Sequence, residues 1–456
     1  MPKTHTLPWP RTSRIATMRR IMNWSVFWHP PMGLRRSGFV LLLVCFLSVG
    51  CSYLPRDKQI RTSIRPTYAV TAPEFRASLS HLLGAPLVEN NNIVELLNGD
   101  RTFGAMLEAV RAAQHSITIE QFIWSSGEVS TKFIEALGER ARAGVKVHIV
   151  VDTIGSYHLS RSDRRKLRKA GVEFEWFNPP IVVSLSRPFR LLGINHRTHR
   201  KLMVVDGRIG FIGGVCMSDA WSGDGESGKW RDTHFRVEGP VVGQMQAVFT
   251  RNWLQAHSQV LHGANYFPQL KPAGTMTAQS FASGPKEGAE HARLTYLMSM
   301  AAARKNIRLS HAYFVPGKLA IETLVEARKR GVRVEVIVPG KSDNFAVSSA
   351  GRSRWGKLIE AGVEFYEYKP TLYHCKIMVV DDIWASVGSV NFDEKSFRHN
   401  DEANLDVLDR EFAATLIKSF EVDKTRSRPI TWEDFKKRSI FKKMFDFCVG
   451  SFHSEL

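Results

Sequence analysis

The pattern His-x-Lys-x-x-x-x-Asp occurs twice in this chain, and each copy stands at the same place in an internal repeat. Residues Phe103 to Asp152 read as an amphipathic helix, the strand Ile117–Trp124, a helix over Ser130–Ala143, Gly144, and the apolar strand Val145–Val151. Leu294 to Pro339 repeats the order: helix, strand Ile307–Phe314, helix Leu319–Arg330, Gly331, strand Val332–Val338. The second helix of each unit ends in a basic turn and a glycine, a C-terminal cap before a strand. Helices alternating with short β-branched runs predict an α/β fold with mostly parallel, helix-covered sheets. Two matching units predict two repeats packed about a pseudo-twofold axis.

The motifs follow these units. His199-Arg-Lys-Leu-Met-Val-Val-Asp206 leads into a run ending Gly213-Gly214-Val-Cys216, and His374-Cys-Lys-Ile-Met-Val-Val-Asp381 into one ending Gly388-Ser-Val-Asn391. Each motif occupies one strand, so His and Lys of a copy share a face while Arg200 and Cys375 point the other way. With 16 histidines in the chain a single match carries little weight. A lone histidine on an apolar strand is usually a satisfied core residue, the reading that applies to His234 and His311. Two copies at equivalent places are another matter, because a buried lysine without an anionic partner is costly.

Transfer of a phosphodiester group without metal needs a nucleophile, a proton donor for the leaving oxygen and cations for the phosphate. Two histidines supply the first two roles and two lysines the third. The motif aspartates suit orientation of an imidazole or lysine head better than direct chemistry. No Cys/His spacing of a zinc site and no carboxylate cluster occurs, so neither metal nor cofactor is expected.

Paired His-Lys-Asp motifs of this kind identify the chain as a member of the phospholipase D superfamily over about residues 90 to 425. The segments Trp230-Arg-Asp-Thr-His-Phe-Arg-Val-Glu-Gly239 and Arg398-His-Asn-Asp-Glu402 resemble those of bacterial cardiolipin synthases. The resemblance implies a catalytic set of His199, Lys201, Asp206, His374, Lys376 and Asp381. In it His199 forms the phosphohistidine and His374 serves as general acid and then base, though the residues alone leave the reverse order open. It also implies that Ser389 and Asn391 help bind phosphate and shape the second turn, and that Asp232 and Glu402 support the histidines from behind. Cys216 stands where the family generally has Asn, which puts phosphate binding by that position in doubt; it reads as a small packing residue.

The expected organisation is an N-terminal extension with a signal-like segment (1–50), a linker (51–89), the first repeat (90–270), the second repeat (271–425) and a basic amphipathic tail (426–456). An apolar run over 38–50 after Arg35 and Arg36 is too short to span a bilayer comfortably but fits a signal peptide. Its end, Leu47-Ser-Val-Gly-Cys51, resembles a bacterial lipoprotein signal, which implies lipidation of Cys51 and a membrane-anchored protein on the periplasmic side. The formal charge is +19, of which residues 1–50 hold seven cations and no acid, leaving +12 on the rest. That excess points to a polyanionic partner, nucleic acid or an anionic membrane surface.

The lipoprotein-like start, the synthase-like segments and two apolar, basic elements together favour the membrane surface and anionic phospholipid substrates over nucleic acid. One is the insertion between Pro179 and Arg197, which makes Gly144 to His199 55 residues against 43 from Gly331 to His374. The other is Trp432 to Phe447, read as an interfacial helix. The expected activity is a cardiolipin synthase-type phosphatidyl transfer. A hydrolytic phospholipase D or nuclease is the alternative, and a catalytically silent membrane adaptor is disfavoured by two intact motifs.

Overall fold

Short β-branched runs bounded by helix-forming stretches decide the architecture of both halves. In the computed structural model, which describes residues 60–179, 196–226, 228–438 and 446, they join one fifteen-stranded sheet with helices on both faces. In chain order the first half comprises α1 (Pro73–Leu83), β1 (Val88–Leu97), α2 (Asn98–Ala112), β2 (Ser116–Gln121), α3 (Glu128–Arg142), β3 (Lys146–Asp152), α4 (Arg161–Lys169), β4 (Glu173–Phe177), β5 (Lys201–Val205), β6 (Ile209–Gly213), β7 (Thr233–Glu238) and α5 (Val242–His257). The second comprises β8 (Met276–Ser283), α6 (His291–Ala302), β9 (Asn306–His311), α7 (Lys318–Lys329), β10 (Arg333–Pro339), α8 (Phe345–Arg354), α9 (Gly356–Glu360), β11 (Glu364–Tyr368), β12 (Lys376–Val380), β13 (Trp384–Gly388), α10 (Glu394–Arg398), β14 (Glu402–Leu408), α11 (Arg410–Thr425), β15 (Ser427–Ile430) and α12 (Trp432–Lys436).

Across the sheet the strands run β15-β11-β10-β9-β12-β13-β14-β8-β1-β7-β6-β5-β2-β3-β4. Matching β2–β7 with β9–β14 makes the order symmetric about the antiparallel pair β1–β8, where the pseudo-twofold axis lies. The α/β class is as expected, but the sheet is not mostly parallel, and the halves are not separate sheets. Parallel pairing is confined to β2–β3–β4 and β9–β10–β11, where helices make the crossovers. The motif strands return as hairpins instead. Asp206 and Gly207 between β5 and β6 have φ of 52° and 61°, and Asp381 and Asp382 between β12 and β13 have 55° and 57°. Two successive left-handed residues form the tight turn that suits twisted antiparallel strands.

Helix α3 buries Val129, Phe133, Ile134 and Leu137 against Ile117, Ile119, Val147 and Ile149, and α7 buries Leu324 and Ala327 against Ile307, Leu309, Val334 and Val336. On the other face α5 and α11 cover one cluster common to both halves, with Phe249, Trp253, Phe412 and Leu416 packed among Val237, Leu405 and Val407. That shared core locks the two motif strands together; truncating a ring such as Phe249 to alanine costs roughly 3–5 kcal/mol.

The stretch expected as a linker carries α1, whose Phe75, Leu79 and Leu83 recur every fourth residue and are buried. Phe75 packs edge-on against Trp384 at 5.0 Å. At the other end, β15 joins β11, and Phe435 of α12 rests on the second-half cluster. Most of the remaining helix expected to follow Trp432, and most of the insertion after Pro179, lie outside the described residues.

Candidate active site

Each motif histidine sits just before its strand, where the backbone is stitched to the opposite half. The His199 amide donates to the Asp401 carbonyl at 2.8 Å, and the His374 amide to the Arg231 carbonyl at 2.8 Å. Those crossings bring a carboxylate from the other half behind each ring. His199 Nδ1 lies 2.8 Å from Glu402 Oε1, and His374 Nδ1 lies 2.7 Å from Asp232 Oδ2. An ionised carboxylate accepts a hydrogen bond from Nδ1–H, which leaves Nε2 as the unprotonated nitrogen of a neutral ring. Neither half holds a complete oriented histidine by itself.

The lysines curl back beside the histidines: Lys201 Nζ donates to the His199 carbonyl at 2.6 Å and Lys376 Nζ to the His374 carbonyl at 2.7 Å. Alternation along the strands sends Arg200 to the opposite face, where it donates to the Glu402 and Val248 carbonyls. Cys375 likewise lies 3.7 Å from the Thr233 hydroxyl.

All of these groups are buried. Burial outweighs the Glu402 charge and takes His199 down to about 4, so the ring is neutral near pH 7. Burial and the Lys376 charge lower His374 as well. Burial draws Lys201 down to about 8 and lowers Lys376. For the two carboxylates burial is the largest influence and acts to raise them. His374, Lys376 and the Trp221 indole nevertheless hold Asp232 below its usual range, as His199, Lys201 and Ser389 hold Glu402.

The walls are aromatic and unequal. Phe122 stands 4.8 Å from the His199 ring, and Lys201 Nζ lies 5.1 Å from the Phe122 ring centre. His374 meets Trp221 and Trp230, each at 5.3 Å, with Tyr313 at 6.5 Å. The Trp221 indole donates to Asp232 Oδ2 at 2.8 Å, whereas the carboxylate of Glu402 is held by the Ser389 hydroxyl.

The structure thus brings His199, Lys201, His374, Lys376, Asp232 and Glu402 together. Asp206 and Asp381 are elsewhere, a correction to their place in the expected catalytic set. Five residues of strand separate each from its lysine, roughly 16 Å at 3.3 Å per residue. Asp206 accepts from the amides of Gln114, His115 and Ser116, and Asp381 from those of Arg304, Lys305 and Asn306. Each ties its hairpin turn to the start of the neighbouring strand.

Ser389 is turned to Glu402 rather than offered to a phosphate, which corrects its expected binding role while keeping it at the turn. Asn391 is buried, and its acceptor oxygen Oδ1 has no hydrogen-bond partner among the described residues. Cys216, at the equivalent place in the first half, is buried, and its thiol is pushed up, chiefly by that burial, so it stays protonated. His234 and His311 lie outside the reciprocal pairs and are taken by burial to about 3 each. Phe122, Trp221 and Tyr313 were not singled out in the sequence, because aromatic residues in or beside strands read as core. Asp219 accepting at the start of α3 was missed too.

A family described as the cardiolipin synthase, PLD-like domain, matches residues 106–253 and 296–424. Cardiolipin synthase 1 of Bacillus anthracis is 34% identical over 372 residues, covering 80% of this chain and 72% of that protein. The major cardiolipin synthase ClsA of Bacillus subtilis is 33% identical over 360 residues, covering 78% and 74%. Among solved structures, phosphatidylserine synthase of Haemophilus influenzae shares the fold with a TM-score of 0.63 at 12% identity, covering 83% of this chain and 97% of that one.

These relatives correct the expected localisation. They are cardiolipin synthases of Gram-positive bacteria and give no support to periplasmic, lipoprotein-type anchoring. Among the described residues no helix is long and apolar enough to cross a membrane, and Cys51 itself lies outside them.

Proposed function

The chain belongs to the cardiolipin synthase, PLD-like family and is a phospholipase D-superfamily phosphatidyltransferase, and from that premise we propose that it makes cardiolipin through a phosphohistidine on His199. The observation that carries this reading is the reciprocal pairing of His199 with Glu402 and of His374 with Asp232. Two rings with Nδ1 occupied by carboxylate present two Nε2 atoms to one phosphate, one as nucleophile and one as proton carrier.

In the first step His199 Nε2 attacks the donor phosphorus, and the bond from phosphorus to the leaving glycerol oxygen breaks. Protonated His374 gives its proton to that oxygen. In the second step neutral His374 takes the proton from a glycerol hydroxyl of a second phospholipid. The freed oxygen attacks phosphorus, and the P–N bond breaks. Lys201, Lys376 and the Asn391 amide hold the non-bridging oxygens.

Charge explains how a buried His374 acquires its proton. Two lysines and two carboxylates cancel, so the empty site favours neutral rings. A bound diester adds one negative charge, and one imidazolium balances it.

Incubating the purified protein with phosphatidylglycerol as sole lipid and resolving the products tests this. Cardiolipin and free glycerol in equal amounts are expected, with full rate after exhaustive chelation. Phosphatidic acid as the main product would make the protein a hydrolase, and a chelation-sensitive rate restored by magnesium would exclude the metal-free route.

A further inference from the structure

Tyr157 and Phe345, 70% and 64% exposed, are the large apolar side chains most open to solvent among the described residues. They occupy equivalent loops. Tyr157 lies in the turn after β3, and Phe345 opens α8 after β10, the strand that matches β3 in the second half. Both loops leave the sheet at the edge that carries the histidines. Asp152, the last residue of β3, accepts from the Thr198 amide at 3.1 Å, one residue before His199. Asp343, two residues before Phe345, accepts from the Tyr313 hydroxyl at 2.7 Å, and the Tyr313 ring faces His374.

The first loop is held firmly. The Ser156 hydroxyl donates to the Phe122 carbonyl at 2.9 Å and accepts from the Trp124 amide at 2.9 Å. Gly155 sits so close that a Cβ there would be 2.2 Å from the Phe122 carbonyl oxygen. A rigid turn seated on a wall of the site therefore lifts Ile154, itself 46% exposed, and Tyr157 into solvent. Ile154 and Tyr157 thus stand exposed on one short turn at the rim of the site, and their partner is read from what adjoins them.

Charge on the adjoining helix says what partner fits. Helix α4 begins after Ser160, whose hydroxyl caps it, and six of its nine residues are basic. Its acid, Asp163, is turned inward to the Ser126 hydroxyl. Arg161, Arg164, Arg165, Arg168 and Lys169 of this one helix lie together on an open surface with no acidic residue among them. Arg164 and Arg168 lie over the rings of Trp176 and Phe174, which fixes their stems. Apolar tips beside a cluster of arginines match a lipid interface bearing phosphate charge.

We propose that this edge of the molecule docks on an anionic phospholipid bilayer, with Ile154 and Tyr157 entering the interfacial layer, Phe345 doing so across the site, and the first turns of α4 meeting lipid phosphates. The inference rests on the phosphatidyltransferase reading and adds where the lipid is met. A cleft held against the bilayer receives a headgroup without drawing whole acyl chains into water, each methylene of which costs free energy.

Amide hydrogen exchange of the full chain with vesicles locates the contact. Protection of 153–165 and 341–347 is expected with phosphatidylglycerol vesicles and not with phosphatidylcholine vesicles. Protection confined to other segments, or equal with both vesicles, overturns the proposal. Two double variants, Ile154→Ser with Tyr157→Ser and Arg161→Gln with Arg165→Gln, should each lower the rate on phosphatidylglycerol vesicles about tenfold or more, since each basic group near the surface contributes roughly fivefold. Both should keep the wild-type rate on monomeric short-chain phosphatidylglycerol. Equal loss on vesicles and monomers would place these residues in the site rather than at a membrane. A wild type inactive on every lipid would remove the catalytic reading, while the exchange data still report docking.

Discussion

His199 and His374 occupy equivalent points of two repeats, yet their surroundings are not copies. Behind His199, Glu402 is held by the hydroxyl of Ser389. Behind His374, Asp232 is held by the Trp221 indole, and Gly214 stands where the second half has Ser389. A Cβ at Gly214 would lie 2.1 Å from Asp232 Oδ1, so the carboxylate uses the space that a side chain fills in the other half. Among the described residues His199 meets one flanking ring and His374 meets three. Duplication supplies the scaffold and two similar rings; the unrepeated neighbours make the surroundings of those rings unequal.

The largest effect that can break this comparison is removal of either ring. His199→Ala and His374→Ala should each lose on the order of 10⁴-fold or more in turnover with unchanged melting, because residues acting as one unit fail together. A donor with a nitrophenol leaving group separates them, since that leaving group departs without a proton. His374→Ala should then still form a lipid-labelled enzyme, and His199→Ala should not. The opposite result would exchange the two roles.

Next come the supporting carboxylates. Asp232→Asn and Glu402→Gln should lose roughly 10²-fold or more by releasing the ring tautomer. Gly214→Ala should approach Asp232→Asn, whereas Ser389→Ala should cost only about tenfold, the worth of one hydrogen bond to a charged group. A harmless Gly214→Ala would mean that Asp232 can shift to admit a methyl group without losing its hold on His374.

Asp206→Asn and Asp381→Asn probe the far end of the same strands. Each loses charge on a group accepting from three amides, at a cost of about 2–4 kcal/mol in unfolding free energy. Rates per folded molecule should stay near wild type. A large rate loss without a stability loss would restore these aspartates to the chemistry.

What the sequence disclosed follows the range of the interactions. Helices closed by Gly144 and Gly331, and strands alternating into Gly213 and Gly388, are local patterns and were legible. The parallel crossovers were extended too far. Helix-strand alternation describes β2–β4 and β9–β11, while β5–β7 and β12–β14 turn as hairpins. The dipeptide Asp206-Gly207 is itself a hairpin signal, and both residues take the left-handed conformation that such a turn requires. Reciprocal pairs across 203 and 142 residues have no local signature and were reached only through resemblance.

Smaller effects come from pH. With Lys201 at about 8 against an ordinary 10.5, the phosphate clamp loses charge above pH 8 and kcat/KM should fall there. Stability should not follow. Between pH 8 and 10.5 the unfolded chain binds more protons at this lysine than the folded one, so its contribution to stability rises with pH. Activity and unfolding profiles that decline together in this window would contradict the depressed lysine.

The smallest and most pointed test exchanges the non-equivalent pair Cys216 and Asn391. Both are buried at the end of a Gly turn, and the side chains are close in size, so a swap tests chemistry more than packing. The Asn391 amide offers two donors to a phosphate oxygen, whereas a protonated thiol is a weak donor. Replacing that amide in Asn391→Cys should therefore lower kcat/KM up to about tenfold, the worth of one hydrogen bond of 0.5–1.5 kcal/mol. Cys216→Asn makes the pocket symmetric and should raise kcat/KM or leave it within about threefold, since the added donor must also displace the thiol from its packing. Combined, the two changes move the amide to the other side of the phosphate. If phosphate is held by a single amide regardless of side, the double variant recovers most of the wild-type rate. If instead it stays as slow as Asn391→Cys, the phosphate lies against the second half, and the asymmetry of the two repeats extends to the substrate itself.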